Sequence, residues 1–188
     1  MRSRLFIESI GSEENLRRGA TAEELLAVAS ISKESRRCEV LAWRAIVRRE
    51  LGEGIRISYD EYGAPQVDMP NTYISVSHSK GEVAVLISDS PCAVDIEHLN
   101  RDFRRVADRY LSDAERSIAE QYDIFAEMWS AKESLYKYHR KGGLDLVRDI
   151  VIKSYSISNH SFIASLCGGE DVVVELSREG NLVVALIG

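Results

Sequence analysis

The sequence predicts an α+β fold of two similar halves, residues 1–91 and 92–188, each pairing a small antiparallel sheet with a long helix, and a ligand cleft between them. Three observations predict it. Short β-type segments come in pairs joined by glycine turns. Each half holds a long helical pattern with one tryptophan, Trp43 or Trp129. Finally, ISVSHSKGEVAVLI, starting at Ile74, echoes VELSREGNLVVALI, starting at Val174: both read strand, turn with glycine, strand, although the strings end one residue out of register. An apolar share of 45% over 188 residues suffices for one domain or two small packed halves.

Taken in order, residues 5–10 read as a short strand. Thr21-Ala22-Glu23-Glu24 is a capping-box pattern that opens a helix. Residues 35–51 form a stronger helix, with Val40, Leu41, Trp43, Ile46, Val47 and Leu51 on a broad apolar stripe and the arginines mostly opposite. Gly52 and Gly54 end it. Residues 55–59 are a strand and Tyr62-Gly63-Ala64-Pro65 a turn. Residues 73–77 and 82–88 form a hairpin, and 93–97 a further strand. The region 102–122 is mostly helical, with a second capping box in Ser112-Asp113-Ala114-Glu115. Residues 127–143 make the second long helix, with Met128, Ala131 and Leu135 at helical spacing and Gly142-Gly143 as its stop. Four strands follow, at 150–157, 162–166, 172–176 and 182–187.

Composition narrows the function. A net charge of −6 argues against nucleic-acid binding, which needs a basic footprint. Apolar runs stay well short of the ~18 residues of a membrane span, and Glu8 interrupts the N-terminal stretch too early for a signal peptide. Cys38, Cys92 and Cys167 are odd in number and far apart, which suits free thiols in a reducing compartment rather than a zinc site. The expectation is a cytoplasmic protein without membrane or nucleic-acid partners.

The chemistry concentrates in a few places. Asp95 and Glu97 are two apart on a strand and point to one face. Paired carboxylates repel unless a cation or proton lies between them. Oxygen ligands suit Mg²⁺ shared with a substrate phosphate, and Glu133 completes the set from the helix. The bland alternative is a solvated acidic strand edge. His78, between Ser77 and Ser79 at a strand end, suits a phosphate contact or simply a polar turn entry. Glu115 is explained by its capping box, and Arg37, Arg44 and Arg48 suit either phosphate contacts or a solvated helix face.

Together these pieces resemble the 4′-phosphopantetheinyl transferases of the longer, pseudo-dimeric type. Ala93-Val94-Asp95-Ile96-Glu97 resembles the family's metal strand, and Trp129-Ser130-Ala131-Lys132-Glu133-Ser134-Leu135-Tyr136-Lys137 its W-x-x-K-E-x-x-x-K helix. Tyr62-Gly63-Ala64-Pro65 is similar to its Y-G-K-P turn, with Ala64 where a lysine is usual; Val76-Ser77-His78-Ser79 and Arg109-Tyr110-Leu111-Ser112 with Glu115 match in order. The resemblance implies coenzyme A as donor, Mg²⁺ as cofactor and an acyl or peptidyl carrier protein as acceptor. It implies metal ligation by Asp95, Glu97 and Glu133, and coenzyme contacts from Ser77, His78 and Arg37. Glu115 or Glu133 would take the proton of the carrier serine, and Lys137 or Lys132 would stabilise the leaving phosphate. Arg101, Arg104, Arg105 and Arg109 offer a docking patch for an acidic carrier. With an internal repeat, a monomer suffices. The competing reading is a Mg²⁺-dependent nuclease or phosphohydrolase on the same carboxylates, although Leu99 stands where a nuclease would want a lysine. A third is a binding module without activity.

Overall fold

A computed structural model describes residues 3–188. The chain divides into two compact units, one ending at Ser90 and the other running from Pro91 to Gly188.

In the first unit, β1 (Ser3–Ser9) is followed by α1 (Glu13–Arg18), α2 (Ala22–Val28) and α3 (Glu34–Leu51), then by β2 (Ile57–Tyr59), β3 (Pro65–Val67), β4 (Tyr73–Ser79) and β5 (Glu82–Ser88). Its main sheet has the antiparallel order β1-β5-β4, and β2-β3 is a separate hairpin. The predicted capping box is present at Thr21, where Thr21 and Glu24 exchange side-chain and backbone hydrogen bonds. Trp43, Ile46 and Val47 of α3 pack on Ile74, Val83, Val85 and Ile87 of the sheet. On another side of α3, Val40 and Leu41 meet Val28.

Two arginines of α3 depart from the expected solvated face. Arg44 and Arg48 are buried. Arg48 donates to Glu24 at 2.9 Å, to Glu53 at 2.7 Å and to the Gly19 carbonyl at 2.8 Å, so it ties α2 and the following turn to α3. Arg44 lies against the rings of Trp43 and Tyr59, with its guanidinium carbon 5.1 and 5.7 Å from their centroids. Helix α1 and strand β3 were not anticipated. Both are short, and their apolar residues are too few to set a period.

The second unit begins with β6 (Ala93–His98), a 3₁₀ segment (Arg104–Arg109), α4 (Asp113–Tyr122) and α5 (Phe125–His139). It ends with β7 (Ile150–Ser156), β8 (Ser161–Leu166), β9 (Asp171–Glu179) and β10 (Leu182–Ile187). The sheet order is β6-β10-β9-β8-β7, antiparallel throughout. Helix α5 ends at His139 with Arg140 in a left-handed conformation, three residues before the first glycine of the expected stop. Met128, Ala131 and Leu135 of α5 are fully buried against Ala93, Val183, Ala185 and Ile187. Truncating Leu135 to Ala would therefore cost about 2–5 kcal/mol.

The two units share a strand arrangement. In each, the first strand pairs with the last, and the last with the one before it: β1-β5-β4 and β6-β10-β9. The one-residue slip between the echoing strings has a physical cause. In the β4–β5 turn both Lys80 (φ 44°) and Gly81 (φ 89°) are left-handed, as a type I′ turn requires, whereas in the β9–β10 turn Gly180 (φ 61°) occupies the first position, as in type II′. The glycine therefore sits second in one turn and first in the other.

Candidate active site

The site is built where α5 crosses β6. Ala93, Asp95 and Glu97 alternate onto one face of β6, beside their β10 partners Ile187, Ala185 and Val183. That face carries α5. The small Ala185 next to Asp95 leaves room for the helix to approach. On α5, Ser130, Glu133 and Lys137 fall at i, i+3 and i+7 and form one stripe. Asp95 and Glu97 have Cα atoms about 6.8 Å apart along the strand, so one helical stripe spans both.

The contacts follow that geometry. Lys137 donates to Asp95 Oδ1 at 2.8 Å and to the Val94 carbonyl at 3.0 Å. Ser130 Oγ donates to Asp95 Oδ2 at 3.0 Å and lies 3.1 Å from the Asp95 carbonyl. Glu97 Oε1 accepts from Trp129 Nε1 and from Arg101, both at 3.0 Å. Burial pushes the Glu133 carboxyl above the usual carboxylate range, and the negative charges of Asp95 and Glu97 push it further, while Lys137 and Arg101 oppose them. Asp95, Glu97 and Glu133 thus act on one another electrostatically, with Lys137 among them.

Such a donor set fits a hard divalent cation. It offers carboxylate oxygens only, and burial together with the charges of Asp95 and Glu97 raises Glu133, a cost a bound cation would relieve.

Two predicted catalytic residues lie elsewhere. Glu115 and Lys132 are both buried, and Lys132 Nζ sits 2.7 Å from Glu115 Oε1. The ammonium also donates to the carbonyls of Leu146 and Ile150, at 2.7 and 2.8 Å, which uses all three of its hydrogens. Glu115 Oε1 further accepts from the Ile152 amide at 2.8 Å, and Oε2 from the Ser112 amide and hydroxyl at 2.8 and 2.9 Å. The Ser112–Glu115 capping box is formed as expected. This pair ties α4, α5 and β7 together. Lys132 lies next to Glu133 in sequence, but on a helix it projects a quarter-turn away, into the core.

In the first unit, Ser77 is buried and His78 exposed, on opposite faces of β4. His78 Nε2 lies 2.8 Å from Arg36 and 2.7 Å from Glu39, both on α3. Arg37 is braced internally. It makes two bonds to Glu13, at 2.8 and 2.7 Å, and reaches the carbonyls of Ile31 and Ser32 at 2.9 and 2.8 Å. Its guanidinium is therefore already neutralised. The Tyr62–Pro65 turn is held by Asp60, whose Oδ1 accepts from the amides of Tyr62 and Ala64.

The sequence reading did not single out Trp129, Ser130 or Arg101 as parts of this site. A signal for Ser130 was present, since it is three residues before Glu133 and seven before Lys137 on one helix. Trp129 is stacked against Phe103 and edge-on to Tyr110, at centroid distances of 5.9 and 5.1 Å, and Arg101 lies over its ring at 5.2 Å.

Among the described residues, no helix is long and apolar enough to cross a membrane. Residues 91–186 match the family model described as the 4′-phosphopantetheinyl transferase superfamily. The chain is 37% identical over 113 residues to the 4′-phosphopantetheinyl transferase ffp of Bacillus subtilis, which covers 56% of this chain and 48% of that protein. It is 35% identical over 113 residues, with the same coverage, to the 4′-phosphopantetheinyl transferase Sfp of Bacillus subtilis strain 168. To the 4′-phosphopantetheinyl transferase gsp of Aneurinibacillus migulanus it is 31% identical over 96 residues, 48% of this chain and 40% of that one. The chain spans about half the length of the curated relatives it matches.

Proposed function

We propose that this chain, which belongs to the 4′-phosphopantetheinyl transferase superfamily, transfers 4′-phosphopantetheine from coenzyme A to a serine of an apo acyl or peptidyl carrier protein and releases 3′,5′-ADP. The observation that carries this reading is the placing of Asp95 and Glu97 on one face of β6, with Lys137 of α5 on Asp95 and the charge of Glu133 on the same helix felt by both acids. The nucleophile belongs to the carrier, so this chain needs none.

Asp95, Glu97 and Glu133 would hold Mg²⁺, which when bound supplies charge neutralisation at the diphosphate. The chain's own groups do the rest. The carrier serine oxygen bonds to the β-phosphorus of coenzyme A, and the bond from that phosphorus to the bridging oxygen breaks. The bridging oxygen leaves with 3′,5′-ADP. Glu133 takes the serine proton, directly or through a water, as the candidate carboxylate not tied up in the core. Glu115 has no capacity left for that task. Lys137 places a cation beside the oxygens on which charge develops.

Ser77 and His78 contact the coenzyme phosphates. Arg36, half exposed beside the imidazole, supplies the cation there in place of the braced Arg37. Arg105 and Arg109, both exposed, present a basic surface to an acidic carrier. The shared strand order of the two units supports a chain of two related halves.

The test is to incubate the protein with coenzyme A, Mg²⁺ and an apo-carrier and to weigh the carrier. A gain of one phosphopantetheine is expected. No gain with several carriers, alongside hydrolysis of coenzyme A or nucleotides, would assign the site to a phosphohydrolase instead.

A further inference from the structure

Among the described residues, every buried charged side chain but one sits in an ion pair. Arg48 has Glu24, Lys132 has Glu115, Asp95 has Lys137 and Glu127 has Arg178. The exception is Arg44 of α3, which is 5% exposed. Its Nε–H is buried without an acceptor, and Nη2 reaches only the Tyr59 hydroxyl, at 3.4 Å. The Trp43 and Tyr59 rings beside it soften the cost of the buried charge but supply no counter-ion. Arg44 also lines a cavity of about 330 Å³, together with Arg48 and the exposed Arg56. Three acids border the same space. Glu24 and Glu53 are both spent on Arg48, and Glu23 is exposed.

We propose that this cavity binds the phosphate group of a small metabolite, with Arg44 as its anchoring cation and Arg56 as a second. The charges favour a dianion. Arg48 is already neutralised, so Arg44 and Arg56 remain, opposed only by Glu23. A phosphomonoester is close to a dianion at neutral pH and offers three acceptor oxygens. A guanidinium presents its N–H groups as a fork that matches such an oxyanion. The volume lies at the low end of pockets that hold small ligands. This place is separate from the coenzyme contacts proposed at His78. Arg36 and Glu39 are the α3 neighbours of His78. Arg44 follows them by eight and five residues, so it projects about 80° and 140° round the helix from them. It also lies roughly 12 Å along the axis from Arg36. The site stands whether or not the chain transfers phosphopantetheine.

Nuclear magnetic resonance reads Arg44 directly. In the ¹⁵N-labelled protein the Arg44 Nε–H resonance is identified by its loss in Arg44→Met. It is then followed while inorganic phosphate or glycerol 3-phosphate replaces chloride at constant ionic strength. Both should move the resonance saturably, glycerol 3-phosphate at the lower concentration. Arg44→Lys keeps the charge but loses the fork, and it should bind either ligand about 10-fold or more weakly by titration calorimetry. Phosphate should also raise the melting temperature of the unmutated chain more than that of Arg44→Met. A resonance that stays fixed under both ligands would overturn the proposal and leave Arg44 held by its two rings. An equal response to acetate would overturn the assignment to phosphate. A shift with coenzyme A but not with the smaller phosphates would overturn it too, by making Arg44 part of the coenzyme site.

Discussion

Replacing Lys132 by Met separates a structural lysine from a catalytic one. In the folded chain Lys132 Nζ meets Glu115 Oε1 at 2.7 Å, with side-chain exposures of 0% and 2%. Burial lowers the affinity of the amine for its proton, and Glu115 opposes that effect. Methionine fills nearly the same volume but leaves the Glu115 charge without its cation and the carbonyls of Leu146 and Ile150 without that donor. Removing one member of a buried pair typically costs about 3–5 kcal/mol. For a chain of this size each kcal/mol lowers the melting temperature by about 2–4 °C, so the expected drop is roughly 6–20 °C. Replacing both residues, Lys132→Met with Glu115→Leu, should recover much of the loss, since apolar substitutes for a buried pair are often neutral or better. Thermal denaturation followed by circular dichroism reads both variants. A Lys132→Met protein that melts within about 1 °C of the unmutated one, yet transfers nothing, would refute the structural assignment and return Lys132 to the reacting groups.

Other expectations are more compact. Asp95→Ala should abolish carrier modification and leave the circular dichroism spectrum intact, because it removes a proposed metal ligand and relieves repulsion; loss of the fold would show a structural role instead. Glu115→Gln should retain transfer at temperatures where it stays folded, since Gln still caps at its position, and a variant folded but inactive would reinstate Glu115 as the base. Glu133 has a raised folded-state pKa, so its protonation favours folding below its unfolded value near 4.5, and that contribution is lost as pH rises through the folded value. In metal-free buffer at neutral pH, Glu133→Gln should therefore melt higher than the unmutated chain, with the gap closing as pH falls below about 4.5; an equal or lower melting point at neutral pH would contradict the carboxylate clustering. Cys167 is exposed, whereas Cys38 and Cys92 are buried and burial pushes the Cys92 thiol up to about 11. A disulfide reagent at pH 8 should label Cys167 rapidly and the other two only on unfolding, which peptide mapping would show.

How much of this was legible in sequence depends on the range of the forces involved. Local rules spoke clearly. The capping boxes at Thr21 and Ser112 formed as read, because each needs only residues three apart. The β4–β5 and β9–β10 hairpins were marked by their turn glycines. The D-x-E spacing placed Asp95 and Glu97 on one face, since the strand period is two. What a sequence does not display is which side of a helix becomes core. Lys132 and Glu115 sit inside the motif matches, yet their charges cancel in the interior. Arg44 and Arg48 looked like solvent-facing positions until α2 and the Trp43 and Tyr59 rings covered them. The stretch 102–122 read as mostly helical with an internal start at Ser112, and it is a 3₁₀ segment and α4, separated at Tyr110 and Leu111, which are buried. Burial of those two side chains, rather than helix propensity, sets the chain's path there.

The most direct measurement follows two products of one reaction. The protein is mixed with Mg²⁺, coenzyme A and either an apo-carrier or the same carrier with its acceptor serine changed to alanine, and carrier mass and 3′,5′-ADP are quantified together. The account predicts one phosphopantetheine per carrier, an equal amount of 3′,5′-ADP, and neither product with the alanine carrier. Release of 3′,5′-ADP that is indifferent to the carrier serine would contradict it.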